Sequence, residues 1–216
     1  MYQPAHGRFV VPDSAALLGE LCAAVPATLV SNGSDGFWTS VLPMIHVPGT
    51  SENGASPDPG LLRGHLARAN GHWRELLSQS AAIAIFVGPD AYVSPSYYQE
   101  KRLTGKAVPT WNYSTAVVHG TITVHPDQEW LLPHVRALVD RHEARRAHPW
   151  SIDDPPDGYI EMMARAIVGL ELRIERIEAK RKLSQNRSAE DIAGVIEALG
   201  DGTPLERLVA QDMREG

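Results

Sequence analysis

Four short stretches carry side chains that could do chemistry beside strand ends. In "GHLARANGHW" (64–73) a strand-like run ends, Arg68 follows, and a helix start is expected at Asn70 or Gly71. Free N–H groups at a helix start with a guanidinium beside them make an anion site. Phosphate suits it, because arginine donates in a fork. The plainer alternative is a solvated Arg68 and an Asn70 that only caps. His65 is either a ligand or base, or a half-buried hydrogen-bonded side chain. In "FWTSVLP" (37–43), Thr39 and Ser40 bring hydroxyls among apolar neighbours, for a ligand edge or for the next strand. In "KAVPTWNYSTAVVHG" (106–120), Trp111 and Tyr113 share one face of an extended chain, and Thr110 and Asn112 the other. One side is expected to pack inward and the other to offer polar groups to a flat ligand; an aromatic corner is the alternative. In "KRKLSQNRS" (180–188), Lys180, Arg181, Lys182 and Arg187 form the dense basic cluster, with Ser184, Gln185 and Asn186 beside it. It reads as a phosphate contact, a DNA contact or a solvated loop.

The elements that must position these residues follow from periodicity and breakers. Helices are expected over 13–24, 70–79, 127–146 (bent by Pro133), "YIEMMARA", and the closing "SAEDIAGVIEAL" and "PLERLVAQDMRE". Strands are expected at 27–31 and 37–47, joined by the turn "NGSDG", then at 61–67. "AAIAIFVG" and "AYVS" read as strands either side of a Pro-Asp turn, followed by 115–125 and 167–179. Residues 48–60 read as a Pro/Gly/Ser loop. Ser188 with Asp191 resembles a capping box. Antiparallel strand order with helices at the ends points to an α+β protein built on a small barrel. Residues 1–180 are expected to form that domain, with 181–216 as a helical extension packed on it.

A chain of 216 residues at mean hydropathy −0.21 can bury a globular core. No apolar run nears the roughly 20 residues of a membrane span, and no signal peptide is read at the N-terminus. The single cysteine, Cys22, lies in an apolar run, so a cytoplasmic home is the expectation. A net charge of −6 argues against a large nucleic-acid surface. His142 and His148 stand six apart, which puts them on different sides of a helix, and no metal site is expected.

The strings "GHLARAN", "YVSPS", "VPTWNY", "HPW" and "KLSQNR" together resemble the PaiB-type FMN-binding negative transcriptional regulators over nearly the whole chain. The resemblance implies an antiparallel split β-barrel of the pyridoxamine-phosphate-oxidase-like kind, a homodimer, and FMN in a groove between subunits. By that resemblance His65, Ala67, Arg68 and Asn70 hold the phosphate, and Thr39 and Ser40 border the ring. Thr110, Trp111 and Asn112 meet the ring or ribityl chain, and Lys182, Ser184, Gln185 and Arg187 close the site. It also implies repression of sporulation and degradative-enzyme genes; redox sensing is a further expectation, and DNA is a partner that only the basic loop at 180–187 supports and the acidic closing helices oppose. Departures are Val41 where His is usual, Gly71 where Pro is, Tyr97 where Trp is and Ala179 where Gly is. The competing expectations are a flavin-dependent oxidoreductase and a haem-binding barrel with His65 or His119 as axial ligand.

Overall fold

Pro43 decides the architecture. It is the single residue between β2 (Gly36–Leu42) and β3 (Met44–Val47). Sequence pattern runs 37–47 as one strand, but proline has no N–H for a ladder, and the two halves take different partners. β2 pairs antiparallel with β1 (Ala27–Gly33), and β3 with β4 (Leu61–Ala67). With β5 (Ser80–Val93), β6 (Thr110–His125) and β7 (Ile167–Lys182), the order is β2-β1-β5-β6-β7-β4-β3. Thus β2 and β3 stand at opposite ends of a seven-stranded order while one residue joins them. Successive Cα atoms are about 3.8 Å apart, so the sheet has to curl until its ends meet. The result is a split β-barrel, and the helices around it make the protein α+β.

The computed structural model describes residues 1–2, 7–50, 58–76 and 80–215. Positions 51–57 of the expected loop and 77–79 of the expected helix lie outside the described residues. Packing divides the chain into two units, one of Met1–Ser14, Val87–Ala116 and Glu178–Gly216, the other of Ala15–Phe86 and Val117–Ile177. The second unit holds α1 (Ser14–Ala24) from Ala15 on, α2 (His72–Glu75), α4 (Gln128–Glu143) and α5 (Tyr159–Ala164). Its core includes Leu18, Leu29, Met44, Leu62, Leu131, Leu170 and Leu172. The first unit holds α3 (Gln99–Thr104), α6 (Ala189–Gly200) and α7 (Pro204–Glu215). There Val93, Tyr98, Leu183, Val195, Leu199, Val209 and Met213 form one apolar cluster. The C-terminal helices share a unit with 87–116 and the N-terminal segment.

Several elements differ from expectation for physical reasons. β5 runs unbroken through Gly88-Pro89-Asp90 where a turn was expected. β6 begins at Thr110, so "TWNY" is strand rather than its approach. α3 has no strong sequence signal; its Glu100 N–H donates to Asp191 Oδ1 at 3.0 Å. Asp191 therefore supports α3, while Ser188 Oγ caps α6 by accepting from Asp191 N at 3.2 Å. Pro133 sits inside α4 without ending it.

α2 is a single turn, with Gly71 rather than Asn70 at its N-cap. Asn70 Oδ1 still accepts from His72 N at 3.0 Å. Gly71 has φ −64°, the angle a proline ring imposes. A Cβ there would lie 3.3 Å from the Trp38 ring, close but on a side chain. Gly71→Pro is expected to raise stability by about 0.4–1 kcal/mol, by restricting the unfolded chain. A higher urea midpoint at unchanged slope is the check.

Candidate functional site

The second unit gathers one polar cluster under β2. Ser40 faces inward and is buried, and its neighbour Thr39 faces outward. His72 is fully buried between two hydroxyls, with Nε2 2.9 Å from Ser31 Oγ and Nδ1 2.9 Å from Ser40 Oγ. Asn70 Nδ2 donates to Ser40 Oγ at 3.0 Å. Burial lowers the His72 pKa, so its neutral ring accepts from one serine and donates to the other. Ser31 and His72 were missed in the sequence, because the chain that links them to Ser40 is not local. This network fixes the end of β2 that carries Thr39.

Arg68 is half-buried and not free to swing. Its Nε donates to Arg165 O at 2.9 Å, and its Nη2 to Ile167 O at 3.0 Å and Pro126 O at 3.2 Å. Its backbone N–H donates to Ala166 O at 2.7 Å. The guanidinium is thereby held in one orientation, with Nη1 outside these bonds. Ala67 is exposed at the end of β4.

His65 is drawn elsewhere, its Nδ1 3.1 Å from His134 Nε2 on α4. Trp130 stacks on His134 at 5.2 Å and on His125 at 4.5 Å, and Arg63 lies 5.7 Å from the Trp130 ring centre. Burial lowers the pKa of both histidines of the pair, and His65 and Arg63 help pull His134 down to about 4. A free imidazole titrates near ~6.5. The unfolded chain therefore binds more protons in acid, so this contribution to stability is full above about pH 6.5 and falls as pH drops toward 4. At pH 5 His134 alone is expected to remove about 2 kcal/mol. Urea midpoints at pH 7.5 and 5.0 should show the loss, and His134→Gln should flatten it.

The first unit gathers the other candidates into two further clusters. Lys182 Nζ donates to Thr110 Oγ1 at 2.5 Å and to the Trp111 carbonyl. Burial, with the charges of Lys180 and Arg187, pulls its pKa down. Asn112 is fully buried; its Nδ2 donates to Ser184 Oγ at 3.0 Å and to Met213 Sδ at 3.4 Å. Ser184 holds a left-handed φ of 66°, uncommon for a residue with a Cβ. Gln185 stays local, with Oε1 accepting from Leu183 N at 2.8 Å and Nε2 donating to Arg181 O at 2.9 Å. Arg187 lies 4.5 Å from the Tyr98 ring centre and 3.7 Å from Glu100 Oε2. The alternation predicted at 110–113 holds, but it is the aromatic side that is open: Trp111 is 53% exposed, beside Tyr92. Lys180 is buried, its Nζ about 5.8 Å from the Tyr2 and Tyr113 ring centres and 5.9 Å from that of Phe9. The basic cluster is thus largely turned onto the unit's own groups.

Residues 1–176 match the family described as "Putative FMN-binding domain". The chain belongs to this family. It is 33% identical over 207 residues to an uncharacterised protein of Aspergillus fumigatus, covering 80% of this chain and 79% of that one. It is 31% identical over 155 residues to the Bacillus subtilis protein named protease synthase and sporulation protein PAI 2, covering 71% and 72%. Among solved structures, an FAD and haem binding protein of Mycobacterium smegmatis superposes with TM-score 0.56 at 18% identity, over 82% of this chain and 75% of that one. A flavocytochrome of Azotobacter vinelandii gives 0.57 at 14%, over 89% and 78%. At these identities the two structures show the fold.

FMN is the family's cofactor, a flat ring with a phosphate at the far end of its side chain, and the residues present fit it. Arg68 supplies an oriented cation for the anionic end. β2 ends the strand order, so among the described residues one of its edges has no ladder partner, and that edge can meet the polar rim of a ring. On its outward face Thr39 offers a hydroxyl, and Val41 offers only a methyl surface. Bound FMN supplies electron and hydride transfer. Among the described residues no group of three or more His, Cys, Asp or Glu could hold a metal ion. Nor is any of their helices long and apolar enough to cross a membrane.

Proposed function

We propose that this protein is an FMN-binding, dimeric regulator of the PaiB type that senses redox state through its flavin. The locked guanidinium of Arg68 carries the cofactor part of the reading. Thr39, on the same unit, is the next residue assigned to FMN. The role in gene regulation is an extension from the Bacillus subtilis relative, whose name refers to protease synthesis and sporulation. Direct DNA contact through 180–187 has little support, because Lys180 and Arg187 are engaged within the protein.

The dimer is supported by the outward face of β1 and β2 in the second unit. Strand register aligns Val41 with Thr28 and Ile85, and Thr39 with Val30 and Ile83. Phe37 is 83% exposed and Val41 69% on the same strand. A cleft of about 600 Å³ on this unit is lined by Val30, Asn32, Phe37, Ile83, His119 and Arg176, within the size range of small-molecule sites. A contiguous apolar face of this kind marks an interface, and a second copy is the proposed cover.

The first test is a visible spectrum of the purified protein before and after adding FMN and desalting, with the mass in solution measured alongside. A retained flavin spectrum on a dimer is expected. Protein left colourless by added FMN overturns the cofactor reading. Rapid reduction of bound flavin by NAD(P)H with turnover of an acceptor would make it an oxidoreductase instead.

A further inference from the structure

The grip on Arg68 and the histidine pair share one element. Pro126, whose carbonyl accepts from Arg68, directly precedes Asp127, which caps α4 by accepting from Trp130 N at 3.0 Å. Trp130 packs on Gly169 of β7, where a Cβ would fall 2.3 Å from its ring. Two residues before Gly169 is Ile167, another carbonyl in the grip. One turn along α4 from Trp130 is His134, joined to His65 of β4. Whatever seats α4 on β4 therefore also sets two of the three carbonyls that orient Arg68.

We propose that the His65–His134 pair is an acid-sensitive latch: neutral, it seats α4 and presents Arg68; protonated, it releases α4 and loosens the hold on the cofactor's phosphate. This rests on the reading of Arg68 given above. A proton anywhere on the pair places a cation in a partly buried site beside Arg63, whose guanidinium pairs with Glu171 at 2.8 Å. From β6 comes His125, stacked on the other side of Trp130. From α4 itself comes Glu129, lining the adjoining cavity. β3 contributes Ile45 and Val47 there, without charge. His134 Nδ1 is buried with no hydrogen-bond partner among the described residues, so added charge on that ring has nowhere to go but outward. The cavity beside it, about 280 Å³, gives water a way in once the ring is charged.

The experiment uses the full chain at pH 7.5 and 5.0. Hydrogen exchange, expressed as protection factors, follows residues 126–143, and fluorescence quenching gives the affinities for FMN and for riboflavin, which lacks the phosphate. In the wild type, protection of α4 is expected to fall at least about tenfold at pH 5.0, and FMN affinity to fall well beyond that of riboflavin. His134→Gln, with His65→Asn as the second variant, is expected to abolish both changes. Protection in α4 that does not change with pH, or that falls equally in both variants, overturns the latch. Loosening of α4 with unchanged FMN affinity overturns its link to Arg68. Failure of FMN to bind at either pH overturns the cofactor reading and the link together, and the latch is then judged by exchange alone.

Discussion

Gly120→Ala is expected to lower stability by about 3–5 kcal/mol. Gly19→Ala, the same chemical change, is expected to raise it by about 0.5–1 kcal/mol. A Cβ on Gly120 of β6 would fall 2.0 Å from the Arg173 carbonyl oxygen of β7. That oxygen is backbone and cannot rotate away. Arg173 is also registered with Leu61 of β4, and the next N–H, of Ile174, donates to Gly60 O at 3.0 Å. Making room would therefore pull β7 off β4 and disturb the barrel ladder. Gly19 lies inside α1 with nothing within 4 Å of a built Cβ, so only helix propensity acts. Urea unfolding followed by circular dichroism measures both. A Gly120→Ala protein within 1 kcal/mol of wild type would mean that the two strands are not held at this distance.

Much of this architecture was legible, for reasons visible in single elements. Leu170, Leu172 and Ile174 alternate inward as a period-two strand must, and all three are buried. The turn "NGSDG" closes β1 on β2 with Gly33 opposite Gly36, which takes a φ of 111°. What stayed hidden depends on partners far along the chain. Pattern continues on both sides of Pro43, so nothing local says that the strand changes partners there. α3 gains its first-turn acceptor from Asp191, 91 residues away from Glu100. Alternation at 110–113 told which side chains share a face but not which face is inside. Asn112 goes inward because Ser184 and Met213 bring it partners, while Trp111 is left open. Lys180 belongs to a basic run in sequence, yet the rings of Tyr2, Phe9 and Tyr113 surround its ammonium. Arg68 was recognisable as a cation at the end of β4, but not the three carbonyls from 126, 165 and 167 that aim it.

Those carbonyls make Arg68 the residue where cofactor binding can be separated from structure. Arg68→Ala is expected to weaken FMN about 100-fold, the loss of a charge-assisted pair with phosphate. Arg68→Lys should fall between, about tenfold weaker. Lysine restores the charge, but its ammonium cannot serve three carbonyls in a fork and still face an anion. Both variants lose bonds to Pro126, Arg165 and Ile167, so both should also be less stable, by about 1–2 kcal/mol. Riboflavin decides between the two effects. If Arg68 binds phosphate, its replacement lowers FMN affinity and leaves riboflavin affinity near that of wild type, because the ring has not moved. If FMN and riboflavin weaken in parallel, Arg68 acts by holding the 165–167 segment in place, and the phosphate must be met by another cation. Lys182 is then the next to replace, since its ammonium sits beside the open Trp111 with a pKa already pulled down by burial.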